Sequence, residues 1–165
     1  AGKPYPLDHG AIGVFNSLIA RTKNLPNCAV LTGYELELSA ELKKGSDVWL
    51  NTPRYPREAS GTSGMTAAMN ASVNLSIADG WIPEFIRDGE NGFAIPHSPV
   101  DQPDDVKDDA EATALLDVLE NLVLPLYYDQ PKNFLKVVKT AMKDVEPMFE
   151  STRMAREYYE KLYKS

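Results

Sequence analysis

The chain has 165 residues, 43% of them hydrophobic and 25% charged, with a formal net charge of −7. This balance suits one globular domain with a real core. It argues against a nucleic-acid partner, because phosphate backbones are gripped by basic patches, and no apolar run reaches the length of a membrane span. The N-terminal AGKPYPLDHG lacks the basic-then-apolar pattern of a signal peptide. The single cysteine, Cys28 in the apolar run NCAVL, reads as an inert core thiol of a cytoplasmic protein.

Taken in order, Pro4 and Pro6 keep the first residues extended or coiled. Ile12, Phe15, Leu18 and Ile19 fall at helical spacing and predict a helix from about His9 to Lys23, ended by Asn24 and Pro26. Asn27 to Leu31 reads as a short buried strand. Leu36 to Lys44 is a second helix, stopped by Gly45 after two lysines. Asp47 to Leu50 is a second strand, followed by a loop over Asn51 to Arg57 punctuated by Pro53 and Pro56. A helix is expected around Ser63 to Ala71, strands at Val73 to Ser76 and Phe93 to Ile95, and turns at Asp79-Gly80 and Asn91-Gly92. Short apolar strands alternating with helices predict an α/β fold with a Rossmann-like parallel sheet flanked by helices.

The pattern changes after Pro96. Residues 97–109 carry two prolines and five aspartates and read as an acidic solvated loop, without the ligand spacing of a calcium loop. Residues 110–165 predict a helical C-terminal region packing on the same domain. One helix bears Leu115, Leu116, Leu119, Leu122 and Val123 and ends at Pro125. A second bears Phe134, Val138, Ala141, Met142 and Val145 and ends at Pro147. A third bears Met154, Ala155, Tyr158, Tyr159 and Leu162.

The most informative stretch is EASGTSGMTAAMN, Glu58 to Asn70. Gly61 and Gly64 interleave with small and hydroxyl residues, and good helix formers begin at Met65. Glycines permit unusual backbone angles and close ligand approach. The unpartnered N–H groups and dipole of a helix start suit an anion such as phosphate. The alternative, a Ser/Gly-rich loop that caps a helix, stays open on composition alone. His9 and His97 are isolated and read as surface or capping histidines. Arg54 and Arg57 flank the stretch and are candidates to assist an anion. Trp81 reads as packing, with stacking on a sugar as the alternative, and no metal site or Ser/His/Asp set is apparent.

The run NTPRYPREASGTSGMTAAMN (Asn51 to Asn70), continuing as VNLSIADGW (Val73 to Trp81), resembles the α-glucan phosphorylases: the glycogen, starch and maltodextrin phosphorylases, in particular their bacterial branch. AGKPYP at Ala1 to Pro6 and LSAELKKGSDVWL at Leu38 to Leu50 extend the resemblance. It implies part of the C-terminal domain of a GT-B glycosyltransferase. Residues 1–96 would form the donor- and phosphate-binding core, partnered by an N-terminal GT-B domain that lies outside this chain.

The implied substrates are α-1,4-glucan with phosphate, or glucose 1-phosphate, and the excised chain alone is expected to be inactive. By the same resemblance Glu58, Ser60 and Gly61 lie against the transferred glucose, Gly61, Thr62 and Ser63 face a cofactor phosphate, and Asp79 and Gly80 sit in the strand-exit turn, as cleft lining or as a plain turn. Catalytic residues proper are not identified. The family's pyridoxal phosphate is held as an imine by a lysine directly after the Met of this motif. Here that position is Thr66, which has no amine but whose hydroxyl is a candidate weak ligand for a phosphate or ribose, and Lys43 and Lys44 lie on an earlier helix. Nucleotide-sugar transferases of the same fold carry a glutamate at the corresponding position, which Thr66 is not either. Two alternatives follow: a glycogen-synthase-like enzyme using a nucleotide glucose, and a non-catalytic glucan-binding or regulatory domain.

Overall fold

A computed structural model describes residues 1–164, which divide into two compact units, 1–42 and 43–164. In the first unit α1 (His9–Thr22) starts where Asp8 accepts a hydrogen bond from the Ala11 amide at 2.8 Å, the usual side-chain cap. Gly2 donates to the Leu31 carbonyl at 3.3 Å. Helix α2 (Leu36–Gly45) follows, with Ser39 buried and bonded to the Tyr34 hydroxyl at 2.7 Å.

The strand expected over Asn27 to Leu31 does not form. Its start is a turn in which the Cys28 amide donates back to Leu25, and among the described residues no neighbouring strand supplies the ladder that an extended segment needs. Cys28 is accordingly exposed, not the core thiol its apolar neighbours suggest.

The second unit is built on a three-stranded parallel sheet in the order β1 (Val48–Asn51), β2 (Val73–Ile77), β3 (Phe93–Ile95). Val48 pairs with Val73, and Leu75 with Phe93. Every residue of the central β2 is buried, as expected for a parallel strand covered on both faces. Between β1 and β2 lies α3 (Thr62–Met69), and after β2 the short α4 (Ile82–Phe85).

The C-terminal region is helical, as its apolar spacing predicts. Helix α5 (Asp104–Val118) runs through a π turn at Leu119–Val123 into α6 (Leu124–Tyr128), then α7 (Pro131–Phe149) and α8 (Ser151–Tyr158), which ends in a second π turn at Tyr159–Tyr163. Helix α5 begins inside the acidic stretch read as loop. Asp104 and Asp105 occupy its first turn, where their charges complement the positive end of the helix dipole. Pro125 does not end the helix either. The wider turn immediately before it absorbs a residue with no N–H to donate. Pro147 likewise lies inside α7, near its end.

Helix α7 ties the layers together. Phe134 and Val137 join Val73, Leu75, Ile77, Phe93, Ile95, Val118 and Val123 in one apolar cluster. Val145, two turns further on, joins Ala68, Trp81, Ile82 and Phe85 in another. The second cluster lies beneath α3 and so sets where the motif helix sits.

Candidate functional site

The Glu58–Gly61 loop is held from below by the turn that leaves β2. Asp79, 6% exposed, accepts from the Glu58 amide through Oδ2 and from the Gly80 amide through Oδ1, both at 2.9 Å. The Trp81 amide donates to the Ser60 carbonyl at 2.8 Å. Gly80 has φ +57, and a Cβ there would stand 2.3 Å from the Ser60 oxygen and 2.9 Å from Glu58 Cγ. Only glycine permits both that backbone angle and that approach.

Gly61 caps α3 in the left-handed region at φ +98, and a Cβ on it would meet Trp81 Cδ1 at 3.0 Å. Gly64 is packed tighter still. A Cβ there would lie 2.6 Å from Asn74 Oδ1 and 3.1 Å from Trp81 Nε1, two buried polar atoms without a hydrogen-bond partner. Asn74 donates through Nδ2 to the Gly64 carbonyl at 3.0 Å. The glycines of the motif therefore let a helix start settle onto an indole and a buried amide.

This arrangement brings Glu58, Ser60, Gly61 and the first residues of α3, Thr62 and Ser63, into one continuous segment. Glu58 is half-buried, and among the described residues its carboxylate has no hydrogen-bond or ion-pair partner. Thr62 and Ser63 stand in the first turn of α3, where amides have no partner within the helix. Thr66 lies one turn further on and is exposed, its hydroxyl within 3.1 Å of both the Thr62 and Ser63 carbonyls. Trp81 is 2% exposed and stacks on Phe85, with ring centroids 4.8 Å apart, so it is a packing residue and presents no face to a ligand.

A cavity of about 550 Å³ opens on the outer side of α3, lined by Thr62, Met65, Thr66, Met69 and the α7–α8 junction. Its other polar lining residues are Ser151 and two acids. Glu146 lines it, and Glu150 caps α8 through the Thr152 and Arg153 amides at 3.0 and 2.6 Å. Hydrogen bonding from Thr152, side chain first, holds the Glu150 carboxyl below the usual carboxylate range.

Arg54 and Arg57 are not free to meet an anion. Arg54 forks onto Asp108, with Nε to Oδ1 at 2.9 Å, and Arg57 reaches Asp104 at 2.9 Å. Lys107, itself buried, also pairs with Asp104, at 3.2 Å. Lys107 and then Arg57 hold the Asp104 carboxyl below the usual range, and Arg54 does the same for Asp108. These aspartates, though still partly exposed, strap the loop before the motif to α5.

His97 stacks on Tyr55 at 3.7 Å and 9°, and His9 opens α1 on the surface. Among the described residues no three His, Cys, Asp or Glu side chains gather as a metal site, and no helix is long and apolar enough to cross a membrane. Sequence reasoning saw Asp79 as part of a turn, with cleft lining as the alternative. Its grip on the Glu58 amide depends on a contact across the fold that no local pattern announces.

No protein-family model and no solved structure matches the chain. Curated proteins do. An uncharacterized protein of Methanocaldococcus jannaschii is 43% identical over 99% of this chain and 30% of its own length. The glycogen phosphorylase of Mycobacterium tuberculosis H37Rv is 37% identical over 99% of this chain and 20% of its own. The maltodextrin phosphorylase of Thermococcus litoralis is 40% identical over 81% of this chain and 16% of its own. The chain thus spans less than a third of the length of each.

Proposed function

We propose that this chain, a relative of proteins named glycogen phosphorylase and maltodextrin phosphorylase, is the donor-sugar part of a cytoplasmic, phosphorylase-type retaining glucosyltransferase. In this reading a second GT-B domain closes over Glu58 and α3, and glucose passes between an α-1,4-glucan end and phosphate. The observation that carries it is the 37% identity to a glycogen phosphorylase across 99% of the chain. The geometry supports it: the one acid of the motif is unpartnered on a loop fixed from below.

The Glu58 carboxylate accepts hydrogen bonds from hydroxyls of the transferred glucose, charge-assisted and therefore strong and orienting. Ser60 and Gly61 offer backbone at close range. The Gly61, Thr62 and Ser63 amides at the positive end of α3 hold an anion. In the reaction the bond from glucose C1 to the glucan oxygen breaks and a bond from C1 to a phosphate oxygen forms. The phosphate proton goes to the departing glucan oxygen. The oxocarbenium-like state between them is stabilised by groups already in place.

Pyridoxal phosphate, which the family resemblance implies, does not suit the residues present as an imine. Thr66 offers a hydroxyl that is already turned onto its own helix, and the cavity beside it carries Glu146 and Glu150. The same residue gives a second reading its footing: a donor in which a nucleotide takes the place of phosphate, with the Thr66 hydroxyl as a weak ligand.

The test is direct. The purified enzyme carrying this chain, given maltodextrin, phosphate and added pyridoxal phosphate, is expected to release glucose 1-phosphate. No release, together with calorimetric binding of ADP or UDP, would replace this reading with the second.

A further inference from the structure

We infer that Asp79 is a positioning residue for Glu58. The inference rests on the reading of Glu58 as the sugar ligand. Asp79 touches no substrate group in that reading, and it acts through the backbone of the residue that does. Both of its carboxylate oxygens are engaged by main-chain donors, the Glu58 amide and the Gly80 amide, each at 2.9 Å. The carboxylate is buried at 6% exposure, where an ionised acceptor bonds N–H groups more strongly than a neutral one.

Two more contacts run in the same direction. The Trp81 amide holds the Ser60 carbonyl at 2.8 Å, and the absent side chain of Gly80 leaves room for Glu58 Cγ and the Ser60 oxygen. Asp79, Gly80 and Trp81 therefore form a template pressed against Glu58, Ser60 and Gly61. Asp79 is its only member that can be altered by a single atom. A carboxamide at this position keeps one acceptor and turns an NH₂ toward the other amide, so one of the two bonds is replaced by a donor facing a donor.

The consequence is specific. Losing the bond frees the Glu58 main chain while leaving its carboxylate chemically intact. The loss of function must then pass through Glu58 and disappear where Glu58 no longer works.

The experiment uses Asp79→Asn in the whole enzyme, with two readouts. Amide hydrogen exchange at Glu58 is expected to speed up by about tenfold or more, while Leu75 and Ile77 in β2 stay protected. In phosphorolysis of maltodextrin, Asp79→Asn alone is expected to lower kcat/KM by about tenfold, yet by less than about twofold in a Glu58→Gln background. Unchanged exchange at Glu58 in both Asp79→Asn and Asp79→Ala, which keeps no acceptor for either amide, overturns the inference. So does an undiminished tenfold loss in the Glu58→Gln background, which is what a merely structural residue would give. If Asp79→Asn does not fold, Asp79→Ser, which keeps a single acceptor, carries the same comparison. An enzyme that turns over no glucan at all strikes the reading of Glu58, and the exchange measurement then judges the Asp79 contact by itself.

Discussion

Replacing Gly64 with alanine sets two effects of opposite sign against each other. Alanine is the better helix former, by up to about 1 kcal/mol, and a helix of this length would be expected to gain from it. Against that, the new methyl would stand 2.6 Å from Asn74 Oδ1 and 3.1 Å from Trp81 Cζ2 and Nε1. Asn74 is 1% and Trp81 2% exposed, and Trp81 is wedged between Phe85 and Phe149, so neither neighbour has an empty place to go. Overpacking of a filled core costs about 1–3 kcal/mol. Displacing Asn74 also weakens its 3.0 Å bond to the Gly64 carbonyl, about 1 kcal/mol more. Packing wins, with a net loss of about 2 kcal/mol. Urea denaturation of Gly64→Ala should show a lower midpoint at unchanged slope, and Tm should fall by roughly 4–8 °C. A variant as stable as the parent, or more so, would refute the packing described for α3 on Trp81 and Asn74.

Gly80→Ala places a methyl 2.3 Å from the Ser60 oxygen at φ +57 and should cost about 2–3 kcal/mol. Thermal unfolding that matches the parent would argue against the template beneath Glu58. The Arg54, Arg57 and Lys107 cluster holds Asp104 and Asp108 below their usual pKa. Its contribution is therefore complete above about pH 4 and lost as pH falls through the depressed values. Urea midpoints of the parent and of Asp104→Asn/Asp108→Asn should differ at neutral pH and converge in acid, and parallel curves would contradict the pairing. Incubation with pyridoxal phosphate and borohydride should leave residue 66 unlabelled in the parent and label it in Thr66→Lys. A Thr66→Lys variant that stays unlabelled would contradict the reading that the missing amine bars the imine.

What the sequence disclosed follows from how local each signal is. The run VNLSI is apolar and β-branched enough to declare a buried strand, and α7 announces its stripe through Phe134, Val138, Ala141 and Val145. The motif glycines indicated unusual backbone angles at a helix start, and Gly61 has the left-handed angle that only glycine adopts freely. Failures came where a neighbour decides. NCAVL looks like β2 in composition but finds no strand to pair with. Asp105 and Asp109 are exposed as their composition suggests, but Asp104 and Asp108 are met by Arg57 and Arg54 across the fold. Asp79 looks like half of an ordinary Asp-Gly turn, and its role depends on an amide 21 residues away in sequence.

The account turns on the Glu58 carboxylate as the group that holds the transferred glucose. The measurement that tests it most directly is phosphorolysis of maltodextrin by the enzyme carrying this chain, compared with its Glu58→Gln variant under identical phosphate. Removing one charge-assisted hydrogen bond, about 1.5–3 kcal/mol, predicts a fall in kcat/KM of roughly 10- to 150-fold with the fold unchanged. Equal turnover by parent and variant would contradict it.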